Sequence, residues 1–369
     1  MKPERFGILT YGLERHIGGI GTYTLRLVDA LRRAGLAPQL LQAGRAGAGP
    51  ARYRLPGAGR VPGLLTLGQV EIALLARRHG LELLHDPVGV YPFALAGCAR
   101  VVTVHDAFPC VRPQTSTALE RLLYRYWLPV ALGQAGAVIT VSAQSQADIL
   151  RYYALPAEKV TVIPIARDPR FCPLPPEAVR PVLERHHIRG AYILYVGSLQ
   201  PRKNLLRLLA AYRRLRAWLP GWRLVIVGAR NYRQSIPVVA AIQDLGLEEW
   251  VQFTGFVEEE DLPALYNGAD LFVFPSLYEG FGLPPLEAMA CGVPVVTSNV
   301  SSLPEVVGDA ALLVDPYQEE QIYTAMRRVL EDPQLAEDLR HKGLQRAARF
   351  TWQRMAEETL AVYREVLHS

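Results

Sequence analysis

The chain has 369 residues, half of them hydrophobic, with 40 Lys+Arg against 35 Asp+Glu. That length holds two domains with separate cores, and that hydrophobic content excludes a disordered chain. The cysteines Cys98, Cys110, Cys172 and Cys291 form no C-x-x-C pair, which argues against a disulfide framework and for the reducing cytoplasm.

No apolar run approaches membrane-spanning length. FGILTY, residues 6–11, is too short for a signal peptide and reads as a first strand. The amphipathic run TYTLRLVDALRRAG (22–35) follows as a helix ended by Gly35. Further strand-like runs are APQLLQA (37–43), LELLHDP (81–87), RVVTVHD (100–106), AVITVS (137–142) and KVTVIPIA (159–166). They are rich in Val, Ile and Leu without polar alternation, as parallel strands buried on both faces require. The Gly/Arg-rich segment 44–63 reads as a mobile surface loop.

Residues 168–189, interrupted by prolines, read as a linker. A second alternating set follows: AYILYVGS (191–198), RLVIVGA (223–229), VQFTGFV (251–257), DLFVFPS (270–276), VPVVTS (293–298) and ALLVDP (311–316). The remainder is helical. The pattern predicts an α/β protein of two doubly wound, Rossmann-like parallel-sheet domains, at 1–167 and 190–351. Such sheets bind ligands at the carboxyl ends of their strands.

Residues 1–167 carry 19 Lys+Arg against 10 Asp+Glu, a net +9, and the rest carries a net −4. The basic half suits an anionic substrate or membrane surface, or reflects an arginine-rich composition. Its charges are dispersed and no nucleic-acid module is present, so no nucleic-acid partner is expected. Of the 40 basic residues only Lys2, Lys159, Lys203 and Lys342 are lysines, so a lysine at a motif position carries weight.

Four stretches carry chemistry. In SLYEGFGLPPLEAMACGVPVV (276–296), Glu279 lies in a loop and Glu287 in a helix whose first turn holds Pro284 and Pro285. The helix N-terminus suits a diphosphate, Gly280 and Gly282 allow close backbone approach, and a carboxylate can hold vicinal sugar hydroxyls. In YVGSLQPRKN (195–204), Arg202 and Lys203 follow a strand where a phosphate would sit. HIGGIGTY (16–23) reads as a glycine-rich loop able to cradle phosphate or sugar, without completing G-x-G-x-x-G. In TVHDAFP (103–109), His105 ends a buried strand and is placed for a ligand; a satisfied core histidine is the alternative.

Together these strings resemble retaining glycosyltransferases of family 4, of GT-B architecture, over nearly the full chain. The most specific match is Glu279 to Glu287, the family's E-x7-E motif. FTGFV (253–257) and ACGVPVVTS fit in order. The resemblance implies that the second domain holds a nucleotide-sugar donor and the first faces the acceptor across a cleft. It implies that Arg202 and Lys203 bind the diphosphate and offset charge on the leaving group. Ser198 and the Gly280, Phe281, Gly282 and Leu283 backbone would join Glu279 by the donor sugar and phosphate. Glu287 would hold the ribose, Phe256 would lie along the base, and His105 would reach the sugar. Gly18, Gly19 and Gly21 would line the diphosphate or acceptor side. The final helix, 352–369, would cross back to the first domain.

No D-x-D occurs, so neither a metal nor any other cofactor is expected. The strings look most like mannosyltransferases of surface polysaccharide assembly that use GDP-mannose, with a UDP-hexose as the alternative donor. A nucleotide-sugar hydrolase or epimerase of the same architecture also remains open. The acceptor would be a saccharide or a lipid-linked saccharide. The stretch ALERLLYRYWLPVAL (118–132) suggests peripheral contact with the inner membrane face, or else an ordinary helix with a buried aromatic side.

Overall fold

A computed structural model describes residues 5–10, 18–43, 53–55, 67–89, 97–228 and 232–368. The chain divides into two compact units, 1–166 with 351–369, and 167–350.

The first unit is built on β1 (Phe6–Leu9), β2 (Gln39–Ala43), β3 (Tyr53–Leu55), β4 (Leu83–Asp86), β5 (Ala99–Val104), β6 (Ala137–Thr140) and β7 (Val160–Val162). They lie in the order β3-β2-β1-β4-β5-β6-β7, every pair parallel. β1 and β4 are buried at every position, as the unbroken apolar runs require. Of the segment expected to be a surface loop, Tyr53–Leu55 is described, and it is the edge strand β3. It is too short to show a period.

The glycine run is not a loop where it is described. The helix Gly18–Arg33 takes in Gly18, Gly19 and Gly21. Tyr23, Leu27 and Leu31 repeat every four residues and are fully buried. That packing extends the helix back through glycines whose own propensity is poor. His16 and Ile17 lie outside the described residues.

The last helix, Trp352–His368, belongs to this unit. It buries Met355, Thr359, Val362 and Tyr363, an i, i+4 and i+7 face. The Tyr363 ring lies 5.7 Å from that of Phe6, and its hydroxyl lies 2.5 Å from His85 Nδ1.

The second unit holds β8 (Tyr192–Val196), β9 (Arg223–Val227), β10 (Val251–Gly255), β11 (Leu271–Phe274), β12 (Val295–Ser298) and β13 (Leu312–Val314), in the order β10-β9-β8-β11-β12-β13, again all parallel. The proline-rich segment 168–189 lies within this unit rather than bridging to it. It carries the helix Pro176–Arg185, and Phe171 packs edge-on against Tyr266. In both sheets the strand order reverses once, between β1 and β4 and between β8 and β11, where doubly wound sheets open a ligand crevice.

Candidate active site

The reversal in the second unit brings two loops together. The first runs from Gly197 through the turn Pro201–Lys203 to the helix Leu205–Trp218. The second runs from Pro275 to Gly282, where the helix Leu283–Ala290 begins. Asn204 ties them: it adopts the left-handed conformation, φ 61°, and its Nδ2 donates to the carbonyls of Pro275 and Pro316. The Leu277 amide donates to the Arg202 carbonyl at 2.7 Å.

Glycine permits the close contacts. A Cβ on Gly228, at the end of β9, would meet the Gly197 carbonyl oxygen at 2.1 Å. Gly282 has φ 121°, a conformation that favours glycine.

The loops bring Arg202, Lys203 and Glu279 together. Lys203 Nζ donates to Glu279 Oε1 at 2.6 Å, and Arg202 Nη1 donates to Glu279 Oε2 at 3.1 Å. Ser276 Oγ also donates to Oε1 at 2.6 Å, and the Lys203 ammonium sits 4.8 Å from the centre of the Phe274 ring. Lys203 and Glu279 are both 7% exposed. Burial alone would raise the Glu279 carboxyl, but Lys203 and Arg202, with the hydrogen bonds, hold it below the usual value. Glu279 is therefore an anchor for two cations whose summed charge exceeds its own.

The Glu279 backbone is fixed as well. Its amide donates to Ser301 Oγ at 3.1 Å, which in turn donates to the Glu279 carbonyl at 2.6 Å. Ser302 Oγ donates to the Phe281 carbonyl at 2.5 Å. Ser276, Ser301, Ser302 and Asn204 are site residues that the motifs did not single out. The serines beyond β12 have no signal in the local sequence.

Glu287 lies in a separate charge neighbourhood. Its Oε2 accepts from Tyr266 Oη at 2.9 Å, and it shares no hydrogen-bond partner with Glu279 among the described residues. Burial pushes its carboxyl up to about 7, against the Tyr266 hydrogen bond and with help from Asp168. The motif's two carboxylates thus differ: one is held ionised, the other is half-neutral near neutrality.

The remaining positions vary in what they present. Ser198 is half-buried after β8, and its carbonyl accepts from Tyr195. The Phe281 ring is buried, edge-on to Phe350 at 5.8 Å, so only its backbone is available to a ligand. Pro284 and Pro285 carry no N–H, which leaves Leu283 to supply the amide of the helix's first turn. Phe256, past the end of β10, is 62% exposed.

In the first unit, His105 follows β5. Its Nε2 donates to the Pro87 carbonyl at 2.9 Å, which leaves Nδ1 as the acceptor nitrogen. The Tyr23 ring meets the imidazole edge-on at 4.7 Å. Burial, against the Pro87 hydrogen bond, lowers His105 to about 4, so it is neutral at physiological pH. Beneath it, Thr103 Oγ1 lies 3.3 Å from Tyr23 Oη and 2.8 Å from His85 Nε2.

Known proteins resemble this chain in sequence and in fold. The family model for glycosyl transferases group 1 matches residues 185–346, and that for glycosyltransferase family 4 matches residues 17–171. The chain is 39% identical over 287 residues to an O-antigen chain mannosyltransferase B of Escherichia coli, covering 76% of this chain and 73% of that one. It is 30% identical over 311 residues to an MMP alpha-(1->4)-mannosyltransferase of Mycolicibacterium hassiacum, covering 80% and 73%. The fold matches sucrose-phosphate synthase from Thermosynechococcus elongatus with a TM-score of 0.80 at 24% identity, over 98% of this chain and 99% of that one. With both halves matched and the E-x7-E carboxylates in place, the chain belongs to glycosyltransferase family 4 and has the GT-B fold.

Proposed function

We propose that this glycosyltransferase moves mannose from GDP-mannose, with retention at the anomeric carbon, onto a saccharide or lipid-linked saccharide in the cytoplasm during surface polysaccharide assembly. The observation that carries the reading is the buried Arg202–Lys203–Glu279 cluster at the strand-order reversal. Relatives named as mannosyltransferases support the sugar.

Breaking a glycosyl–phosphate bond leaves an oxocarbenium-like sugar and a diphosphate gaining negative charge. Cations fixed beside that oxygen stabilise the transition state more than the ground state. Lys203 and Arg202 supply them, and Glu279 holds them in position. This chemistry requires no metal ion. The departing phosphate oxygen takes the acceptor's proton on the same face as it leaves, so Glu279, occupied by its cations, is no nucleophile.

In this reading the second unit holds the donor and the first receives the acceptor. Glu287 accepts the ribose hydroxyls, and the exposed Phe256 lies along the base. Ser198, Gly280, Gly282 and the Phe281 and Leu283 backbone line the phosphates and sugar. His105 Nδ1 accepts from a sugar hydroxyl, and Gly18, Gly19 and Gly21 line the side facing the diphosphate and acceptor.

The test is a thermal-shift panel of GDP, UDP, ADP and their sugar conjugates. A ligand bound only by the folded state raises Tm. Stabilisation confined to GDP and GDP-mannose is the expected result; stabilisation by UDP compounds instead would refute the donor. Anomeric assignment of the product by NMR tests retention, and full activity in excess EDTA tests metal independence.

A further inference from the structure

The backbone at His105 is fixed from behind. Ser145, fully buried on the helix Ala143–Tyr152, donates from Oγ to the His105 carbonyl at 3.0 Å. Thr140 Oγ1 donates to the Val104 carbonyl at 2.8 Å. The ring is held less completely. Among the described residues it makes one hydrogen bond, from Nε2 to the Pro87 carbonyl. Nε2 lies close to the Cβ–Cγ axis of an imidazole. Turning the ring about that axis therefore keeps this bond nearly intact and swings Nδ1 away. The torsion has no sharp preference of its own, so a second contact must set the direction of Nδ1.

Tyr23 makes that contact. Its ring stands at 90° to the imidazole, with the centres 4.7 Å apart. Its hydroxyl lies 3.3 Å from Thr103 Oγ1, two residues before His105, so the side chain spans both positions along the end of β5. The hydroxyl end is tied further back. Thr103 Oγ1 lies 2.8 Å from His85 Nε2, and His85 Nδ1 lies 2.5 Å from Tyr363 Oη in the last helix. Tyr23, His85, Thr103 and Tyr363 are all at most 1% exposed. His85 is neutral, lowered to about 3 by burial and by the charge of His105, so one ring nitrogen donates and the other accepts. It joins Thr103 to Tyr363 in either tautomer.

We propose that Tyr23 is a positioning residue: its ring fixes the rotation of the His105 imidazole and so aims Nδ1 at the sugar, and the buried chain through Thr103 and His85 to Tyr363 holds that ring in place. This rests on the reading that His105 accepts from a sugar hydroxyl. Tyr23, 1% exposed, touches no substrate and acts only through His105. The last helix, remote in sequence from the motifs, thereby supports the sugar contact.

Two measurements on the full chain test it. The first needs no ligand: NMR relaxation dispersion of the His105 Cε1–H signal, with isotope-labelled histidine, reads turning of the ring on the μs–ms scale. Dispersion is expected in Tyr23→Leu and not in the unaltered chain; a flat profile in Tyr23→Leu overturns the proposal. The second is the ratio of Kd for GDP to Kd for GDP-mannose by calorimetry, which isolates the contribution of the sugar. His105→Ala should lower that ratio roughly fivefold, the worth of one hydrogen bond. Tyr23→Leu should lower it by much the same factor, and Tyr23→Phe by less because the ring remains. Neither should lower it further when His105 is already alanine. A merely structural role would cost the same in both backgrounds and would weaken GDP as well. Additive losses from Tyr23→Leu and His105→Ala overturn the proposal and leave His105 at the sugar. A ratio unmoved by His105→Ala, or no binding of either compound, overturns the reading on which the proposal rests. If Tyr23→Leu does not fold, the near-isosteric Tyr23→Phe carries the same cycle.

Discussion

Lys203 and Glu279 are 76 residues apart in sequence, and their Nζ and Oε1 atoms are 2.6 Å apart in a buried pocket floored by Phe274. Neither charge is tolerable there alone. The pair joins the loops after β8 and β11, so the two cations and the first carboxylate of the E-x7-E motif are one construction.

Lys203→Ala leaves Glu279 buried with Arg202 and Ser276 as partners. Breaking one side of a buried ion pair costs about 3–5 kcal/mol, so denaturant unfolding should show a loss of that size. The double variant Lys203→Ala with Glu279→Ala should recover part of it, because no stranded carboxylate remains. Additive losses would refute the coupling. On the proposed leaving-group role, Lys203→Ala should lower kcat well beyond any change in acceptor KM; equal, small effects on both would refute that role.

Glu279 and Glu287 should give opposite pH dependences of stability. The Glu279 carboxyl is held below 4.5, so its contribution is present above that pH and is lost as pH falls through the folded value. Glu287 is raised to about 7, so the folded chain keeps a proton that the unfolded chain has released. Stability from Glu287 is full below 4.5 and declines as pH rises to about 7. Glu287→Gln should flatten that decline in a Tm-against-pH series. If Glu287 takes ribose hydroxyls as a carboxylate, nucleoside diphosphate binding at pH 6 should release a proton. Calorimetry in buffers of different ionisation enthalpy measures it, and absence of release would refute ribose contact by Glu287.

Much of this was legible in the sequence because parallel strands buried on both faces show as unbroken apolar runs. Of the thirteen strands among the described residues, twelve coincide with such runs, and the loops that carry Arg202, Lys203 and Glu279 follow the ends of β8 and β11. What was not legible depends on distance along the chain. Nothing near residue 279 indicates that its carboxyl binds Lys203, or that Ser301 and Ser302 fix its backbone. The glycines at 18–21 read as a loop by composition, and the buried face from Tyr23 onward overrode that. In the 118–132 stretch Tyr124 packs against the core cluster while Tyr126 is exposed, a division along the run that its composition does not show.

His85 and His105 predict acid sensitivity in the first unit. Burial lowers His105 to about 4 and, with the charge of His105, lowers His85 to about 3. Both are neutral when folded and charged when unfolded below 6.5, so stability falls as pH drops from 6.5 toward the folded values. Tyr363→Phe keeps the ring against Phe6 but removes the hydroxyl at His85 Nδ1. A buried nitrogen left without its partner costs about 1–3 kcal/mol. Urea unfolding should show that loss, and a negligible change would mean the hydroxyl does not satisfy His85.

Gly228→Ala tests whether the position of the cation loop sets the rate. The new Cβ would stand 2.1 Å from the Gly197 carbonyl, a backbone atom that cannot rotate away. The loop from Gly197 to Lys203 must shift, at roughly 1–3 kcal/mol in stability. A displacement near 1 Å of a catalytic group costs on the order of 100-fold in rate. Gly221→Ala is the control, because a Cβ there meets nothing within 4 Å. A large fall in kcat for Gly228→Ala, with Gly221→Ala unchanged, is expected at temperatures where both variants remain folded. Full activity in folded Gly228→Ala would show that Arg202 and Lys203 tolerate movement, and would remove precise placement of the cations from the mechanism.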